Sequence, residues 1–395
     1  MAQYTDTFGI YVHIPYCRRV CSYCDFNVYL YKRAKWSEFI RAVVSELSTR
    51  GLAFNGLKAQ SIYFGGGTPS LAPAKFYASI MEEIKRQYII VDDAEITVEV
   101  DPATLTLAGY QQLKQFGVNR ISLGWQSSHD AFLKKLGRGH TAVDSEQAYH
   151  WARQTGFNNI SLDLLFAIPD ETMQHLECDL ANIARLAPDH VSLYALTYHE
   201  GTDLYRRRQA GRIKPVSESF EAEMMLYIED RLAKLGYEHY EVSNYARAQK
   251  RSKHNQLYWH GGQYLGVGPG AHSFKREAWH QGWRWETRRE PTEYIEAWLS
   301  RKGATFAGIP KSNDYSISFV ESLDTQALMN ERLLLSMRLS DGIDISELAN
   351  DVEITQIEQA AIKAQAIGWL KRDDTRLLPT SLGLMNADAL ALMLM

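Results

Sequence analysis

The sequence predicts an α/β protein: an open, partial (β/α)6 barrel followed by a small, mostly helical unit that resembles a winged helix. Six strand-like apolar runs alternate with helical patterns between residues 9 and 198, and this alternation is typical of a parallel sheet with right-handed crossovers. The units number six rather than the eight that close a barrel, so we expect an open sheet. After about residue 305 the pattern changes to a helical series with one short hairpin.

The strand candidates are nearly continuous apolar runs, as strands buried on both faces tend to be. They are GIYVHIP (9–15), SIYFGGGTP (61–69), EITVEVDP (95–102), NRISLGWQS (119–127), NISLDLLFAIP (159–169) and HVSLYALTY (190–198). Helices are predicted at 36–51, 74–88, 106–117 and 175–187, and a longer one at 219–236. Gly51 and Gly117 stand where helix C-caps are expected.

The change in composition divides the chain into two units, residues 1–305 and 306–395. The second unit holds helical patterns and a hairpin centred on Asp373 and Asp374, as in a winged helix. This segment is not basic, so we favour a packing role over DNA binding.

Composition excludes several classes of protein. Of the 395 residues, 45% are hydrophobic and 23% charged, which excludes disorder as the main state. The net charge of −4 disfavours a general nucleic-acid binder. We see neither an apolar run of about 18 residues nor a secretory signal, and therefore expect a cytoplasmic protein.

Three of the four cysteines form a C-x3-C-x2-C motif: Cys17, Cys21 and Cys24. Thiolates hold iron–sulfur clusters, and three of them leave one iron of a four-iron cluster open to a small chelating ligand. Structural zinc sites normally have four protein ligands, and no second cysteine or histidine pair is nearby in the sequence. The motif directly follows the first strand, where β/α barrels carry their sites.

The string Y-x-H-I-P-x-C-x3-C-x2-C, followed by GGGTP after the second strand, resembles the radical S-adenosylmethionine (SAM) superfamily. The resemblance implies a [4Fe-4S] cluster on the three cysteines. It also implies that the open iron binds the amino and carboxylate groups of SAM, and that electron transfer cleaves SAM to a 5′-deoxyadenosyl radical.

Further motifs resemble one branch, the oxygen-independent coproporphyrinogen III oxidases and the haem chaperones related to them. They are FGGGTPS, EVDP, RISLGWQS, LGRGH, LDLLFAIP, HNQLYW and YLGVGPGAHSF. Phe26 stands where the oxidases carry a further cysteine, only about nine residues precede the first strand, and HNQLYW fits a pattern linked with haem binding. The resemblance therefore implies a haem chaperone. The alternative is radical oxidative decarboxylation of coproporphyrinogen III to protoporphyrinogen IX.

The resemblance also implies site residues. SAM contacts are expected from Tyr11, Tyr23, Gly66, Gly67, Thr68, Glu99, Gln126, Arg138, Asp163 and Ala195. Tyr11 has an alternative as a core aromatic, and Asp163 has one as the partner of Arg138 in an internal ion pair. His254 is the haem-ligand candidate, with a satisfied polar residue as the alternative, and we assign no catalytic residue.

The expected partners follow from the same resemblance. They are haem as cargo, apo-haem acceptor proteins such as respiratory ones, and an electron donor. A peripheral membrane contact and a homodimer belong to the same set of expectations, and nucleic acid does not.

Overall fold

The computed structural model describes residues 6–278, 280–300, 307–348 and 351–395, without the side chains of residues 33, 347 and 351–353. Its strands are β1 (Thr7–Ile14), β2 (Tyr16–Cys17), β3 (Tyr29–Leu30), β4 (Lys58–Gly66), β5 (Ile89–Val100), β6 (Arg120–Gln126), β7 (Ile160–Phe166), β8 (His190–Ala195), β9 (Glu238–Glu241), β10 (Asn244–Ala246), β11 (Tyr264–Val267), β12 (His272–Ala278), β13 (Gln281–Thr287), β14 (Ile317–Leu323), β15 (Ile343–Asp344), β16 (Leu370–Asp373) and β17 (Arg376–Pro379). Its α-helices are α1 (Trp36–Arg50), α2 (Ala74–Gln87), α3 (Leu107–Gln115), α4 (Asp130–Lys135), α5 (Ala142–Gln154), α6 (Met173–Leu186), α7 (Asp203–Gln209), α8 (Glu218–Lys234), α9 (Lys253–Trp259), α10 (Pro291–Leu299), α11 (Thr325–Ser336), α12 (Asp351–Ala366), α13 (Ser381–Met385) and α14 (Ala387–Leu394).

One large sheet organises the chain, in the order β14-β13-β12-β11-β1-β4-β5-β6-β7-β8-β10-β9. The six predicted strands are its adjacent parallel members β1, β4, β5, β6, β7 and β8, which confirms the α/β fold class. The sheet is open, and both sides are extended by strands that the sequence did not indicate. Of these, β11 pairs in parallel with β1.

Alternation along β1 separates the core from the site. Ile10, Val12 and Ile14 are fully buried in the main hydrophobic core, which the helices cover. Because side chains alternate across a strand, Tyr11 and His13 point to the opposite, concave face. Their register partners there are Tyr63 and Gly65 of β4.

The predicted helices occur close to their expected bounds. The 36–51 pattern is α1, the 74–88 pattern is α2, and the 219–236 pattern is α8. Gly117 has a φ of 93° after α3, as a C-cap glycine should, whereas Gly51 has a right-handed φ of −56° and begins a short 3-10 turn. Helix α5, which the sequence did not indicate, starts with a capping box between Thr141 and Asp144.

The C-terminal residues form a smaller unit. The predicted hairpin is β16–β17, which joins β15 in a three-stranded sheet, and helices α11, α12 and α14 pack a separate hydrophobic cluster around Leu333, Leu377 and Leu390. Strand β14 lies in the large sheet, so residues after 306 contribute to both sheets. The predicted boundary at 305–306 falls on residues 301–306, outside the described ranges, and stays a prediction.

Among the helices that the structure describes, none combines the length and apolar character that a membrane span requires.

Candidate functional site

A cavity of about 490 Å³, called the first cavity below, lies at the carboxyl ends of the parallel strands. Its wall receives residues from β4, β5, β6, β7 and β8 and from the cysteine loop. The volume is within the usual range for small-molecule sites. The strand ends therefore build a pocket large enough for a nucleoside-sized ligand, where β/α folds place their chemistry.

The three clustered cysteines line this cavity. Thr68 Oγ1 donates a hydrogen bond to Cys17 Sγ at 3.3 Å, and Arg138 Nη1 lies 3.6 Å from Cys21 Sγ. Burial is the largest cause that raises the pKa of Cys17 to about 12 and of Cys24 to about 11. Desolvated thiols of this kind become thiolates when a metal supplies the positive charge.

The described residues contain no group of three metal-ligating side chains close enough to share one metal ion. A cubane cluster does not require such convergence, because each thiolate binds a different iron. Cys178, by contrast, is exposed on α6. The donor set at the cavity mouth therefore fits a cluster better than a single zinc ion.

Gly66 brings the backbone after β4 close to the strand beside it. Its φ is 111°, and a Cβ there would lie 2.6 Å from the ring of His13. The following amides of Gly67 and Thr68 donate to the carbonyls of Ile14 and Tyr16 at 2.8 and 3.0 Å. These bonds hold the GGGTP turn against the cysteine loop.

Glu99, at the end of β5, is a half-buried carboxylate in the cavity wall. Its Oε1 accepts from Tyr63 Oη at 2.8 Å, and its Oε2 accepts from the Gly66 amide at 3.1 Å. Burial is the main cause that raises the pKa of Glu99 to about 7, with the nearby charge of Asp163 adding to it. Glu99 can thus accept from a ligand's ammonium or hydroxyl group.

Arg138 does not form the ion pair with Asp163 that we weighed as an alternative. Its Nη2 instead lies 2.8 Å from Asp101 Oδ2. Asp163 accepts from Ser122 Oγ at 2.6 Å and Ser161 Oγ at 2.8 Å. The Asp163 carboxylate is therefore held by neutral hydroxyls and lines the cavity.

Two guanidinium groups in the wall keep a buried donor without a hydrogen-bond partner among the described residues. These donors are Nε of Arg120 and Nε of Arg138. Buried polar groups are normally satisfied. Arg120 Nε lies 3.9 Å from Glu95 Oε2, so this donor faces a carboxylate of the protein. The two guanidinium groups, the Glu99 carboxylate and the three thiols line one cavity and together fit a cluster with a ligand that carries carboxylate, amino and hydroxyl groups.

Most residues expected to contact SAM do line the first cavity. They are Tyr23, Gly66, Gly67, Thr68, Glu99, Gln126, Arg138, Asp163 and Ala195. Tyr11 is the exception, because it lines a second cavity instead. The Tyr63 ring, with its centroid 6.1 Å from that of Tyr11, occupies the first cavity's wall at this place.

His254, the expected haem ligand, is buried in the barrel interior. Its Nδ1 lies 2.8 Å from Ser61 Oγ, and its Nε2 lies 2.9 Å from Tyr258 Oη. Burial lowers its pKa to about 3. Both ring nitrogens are thus engaged in this conformation, so an iron bond at His254 would require breaking one of these contacts.

The short helix α9 carries the HNQLYW motif between the two cavities. Asn255 lines the first cavity, whereas Tyr258 and Trp259 line the second. The buried carboxylate of Glu95 accepts from the backbone amides of Lys253 and His254, each at 3.1 Å. Glu95 thereby holds the first turn of α9 against β5.

Sequence reasoning missed several polar residues in the first cavity's wall, among them Tyr63, Asp101, Tyr194 and Asn255. Tyr63 could have been found from strand alternation, since it shares a face with Gly65. Asp101 is part of the EVDP motif, and Tyr194 precedes Ala195. Asn255 gives no such signal, because its position depends on how α9 packs.

Family models match two segments of the chain. The model of the radical SAM superfamily matches residues 11–183, and the model of the HemN C-terminal domain matches residues 323–385. The first match includes the cysteine motif and the strands β4 to β7.

Curated relatives extend the similarity over most of the chain. The heme chaperone HemW of Lactococcus lactis is 33% identical over 340 residues, which cover 86% of this chain and 84% of the relative. The chain belongs to the HemW family of radical SAM proteins. The heme chaperone HemW of Mycobacterium tuberculosis is 30% identical over 385 residues, covering 97% of this chain and 93% of that one.

A solved structure supports the fold of this HemW-family chain. The coproporphyrinogen III oxidase HemN from Escherichia coli superposes with a TM-score of 0.81 and covers 100% of this chain and 91% of the oxidase. The two sequences are 19% identical. At that identity the match shows a shared fold.

Proposed function

We propose that this protein is a haem chaperone, which binds haem and delivers it to apo-haem proteins. The observation that carries the proposal is the similarity to HemW chaperones over more than four fifths of both chains. Phe26 adds support. It occupies the position where the oxidases have an extra cysteine, and its side chain is exposed.

The cofactor site has assigned parts in this proposal. Cys17, Cys21 and Cys24 would hold a [4Fe-4S] cluster, which supplies an open iron for SAM and electrons for its chemistry. Glu99 and the Gly66 turn would accept and orient the amino group of SAM. The Arg138 guanidinium would stabilise the negative charge of the Cys21 thiolate, because it lies beside that sulfur.

The partners proposed are apo-haem acceptor proteins, an electron donor, a second copy of the chain and a membrane surface touched peripherally. Arg18 and Arg19 line the mouth of the first cavity beside the cysteines and would attract an acidic electron donor. We place the protein in the cytoplasm, within porphyrin metabolism, because clustered free thiols require a reducing compartment.

One anaerobic experiment tests the proposal against the oxidase alternative. The cluster-reconstituted protein is titrated with haem by absorption, and in parallel incubated with coproporphyrinogen III, SAM and dithionite. We expect saturable, near-stoichiometric haem binding and no protoporphyrinogen IX. Product formation at many turnovers, or an absence of saturable haem binding, would contradict the proposal.

A further inference from the structure

A second cavity, of about 440 Å³, opens between α9, the β11–β12 strands and α11. Within the described ranges it shares no lining residue with the first cavity. Tyr11 and His13 of β1 form its floor on the concave face of the sheet. The cavity is thus separate from the cofactor site but touches the same strand that leads to the cysteines.

The walls of this second cavity are mainly aromatic. The rings of Tyr258 and Tyr264 meet at 88° with centroids 4.6 Å apart, and Phe274 lies 6.3 Å from Tyr264. Trp259 and Leu335 complete the apolar lining. Such walls suit a large, flat, apolar ring system.

His272 is the accessible imidazole of this cavity. Its side chain is 50% exposed, and its Nε2 lies 3.6 Å from Glu286 Oε1. The other lining histidine, His13, has both nitrogens engaged, with Tyr11 Oη at 3.1 Å and the Asn27 carbonyl at 2.9 Å. His272 is therefore free to bind a metal without breaking a hydrogen bond that the structure describes.

The carboxylate of Glu286 would set the tautomer of His272. A proton on Nε2 would face Glu286, which leaves the lone pair on Nδ1. Metal-bound histidines commonly have their second nitrogen directed at a carboxylate in this way. Burial, the largest cause, lowers the pKa of His272, which favours the neutral imidazole that binds a metal.

Two cationic side chains, Arg284 and Arg289, lie near His272. The Arg289 side chain is 61% exposed, and its Nη1 lies 3.3 Å from Glu286 Oε1. Arg284 is shared between Glu321 and Glu331. Arg289 could therefore receive a carboxylate attached to the rim of a bound ring.

We propose that the second cavity is the haem site and that His272, not His254, is the axial ligand of the haem iron. The proposal rests on the proposed haem-binding function. The macrocycle would lie among Tyr258, Trp259 and Tyr264, and its propionates would face Arg289. His254 would then have a positioning role, since its bond to Tyr258 holds one of these rings in place.

The test is an anaerobic haem titration of four full-length proteins, followed by absorption. The proteins are wild type, His272→Ala, His254→Gln and His150→Ala, the last replacing an exposed histidine on α5. We expect His272→Ala to lose the histidine-ligated Soret spectrum and at least tenfold in affinity, and His150→Ala to match wild type. We expect His254→Gln to keep the histidine-ligated spectrum. The proposal would be overturned if His254→Gln lost this spectrum while His272→Ala kept it.

Two further variants separate ligation from damage to the fold. His272→Gly with added imidazole should regain the ligated spectrum, because the free imidazole can occupy the space of the deleted ring. Leu335→Trp keeps His272 but fills the cavity, and should weaken haem binding at least tenfold. Unchanged affinity in Leu335→Trp would overturn the placement.

The haem-binding function and the position of the haem can be contradicted separately. Absence of saturable haem binding in the wild type would overturn the proposed function and the placement together. Wild-type haem binding with unchanged affinity in either His272→Ala or Leu335→Trp would overturn the placement alone.

Discussion

Individual residues in the first cavity are placed for a ligand rather than for the stability of the empty protein. The pKa of Glu99 is raised by burial in the cavity wall, and Arg120 and Arg138 each keep a buried Nε without a hydrogen bond in the described ranges. Each arrangement costs folding free energy. A bound ligand with amino and carboxylate groups would offset these costs.

The three motif cysteines should be required for the cluster, and the fourth should not. We expect Cys17→Ser, Cys21→Ser and Cys24→Ser to lose the cluster after anaerobic reconstitution, because three thiolates are the fewest that hold four irons here. Iron and sulfide analysis with absorption measures this. Cys178→Ser is the matched control, since Cys178 is exposed; a Cys178 variant without a cluster would contradict the assignment.

Glu99→Gln should stabilise the ligand-free protein in a pH-dependent manner. Burial raises the pKa of Glu99 from 4.5 to about 7, so its contribution to stability falls as pH rises between these values. The shift corresponds to about 3 kcal/mol. We expect the free energy of unfolding of Glu99→Gln to exceed that of wild type by up to this amount at pH 8, and to match it below pH 4.5.

Denaturant unfolding of the cofactor-free proteins at several pH values checks this difference. A difference between variant and wild type that does not change with pH would contradict the buried-carboxylate account. The same substitution should weaken SAM binding by roughly tenfold or more, because a charge-assisted hydrogen bond is lost.

At the level of elements, the sequence predicted the six parallel strands and the helices α1, α2, α3, α6 and α8, because long apolar and helical periods are local properties. The positions of Tyr11 and His254 were not predictable in this way. The alternation of side chains along β1 puts Tyr11 on the face opposite the hydrophobic core. It does not indicate which of the two cavities Tyr11 lines. The engagement of His254 depends on helix α9 packing against β4, a contact between residues 193 positions apart.

Helix α9 should depend on Glu95 rather than on its exposed ion pair. Glu95 is 5% exposed and accepts two amides at the start of the helix, whereas Asp93 pairs with Lys253 at the surface. We expect Glu95→Ala to lower the free energy of unfolding by about 3 kcal/mol or more, because the buried amides lose their acceptor and the buried Arg120 loses its carboxylate partner. Asp93→Ala, the control, should change it by less than about 1 kcal/mol.

Thermal or denaturant unfolding gives the comparison. Equal effects of the Glu95 and Asp93 substitutions would contradict the anchoring role of Glu95. A displaced α9 should also weaken haem binding in the Glu95 variant, since Tyr258 and Trp259 belong to that helix.

At the scale of the whole molecule, two hydrophobic clusters of different size predict two levels of stability. The main core runs through the large sheet, whereas a much smaller cluster holds β15–β17 with α11, α12 and α14. Opening free energy follows the apolar area that a unit buries. We expect amides of α12 and α14 to exchange with solvent before those of β1 and β4.

Hydrogen exchange followed by mass spectrometry measures these rates on the intact chain. Equal protection of α14 and β4 would indicate a single cooperative unit. The sequence already indicated a second unit from its change in composition, but not that β14 would complete the large sheet, because strand pairing across residues 281–323 is a tertiary property.

The haem-delivery account is tested most directly by loading the cluster-containing protein with one equivalent of haem and mixing it anaerobically with a b-type apocytochrome. The Soret band of the product reports transfer. Delivery through a complex predicts a rate that rises with acceptor concentration and then saturates, above the rate of haem loss to a passive scavenger. A rate that equals passive loss at every acceptor concentration would contradict the chaperone function.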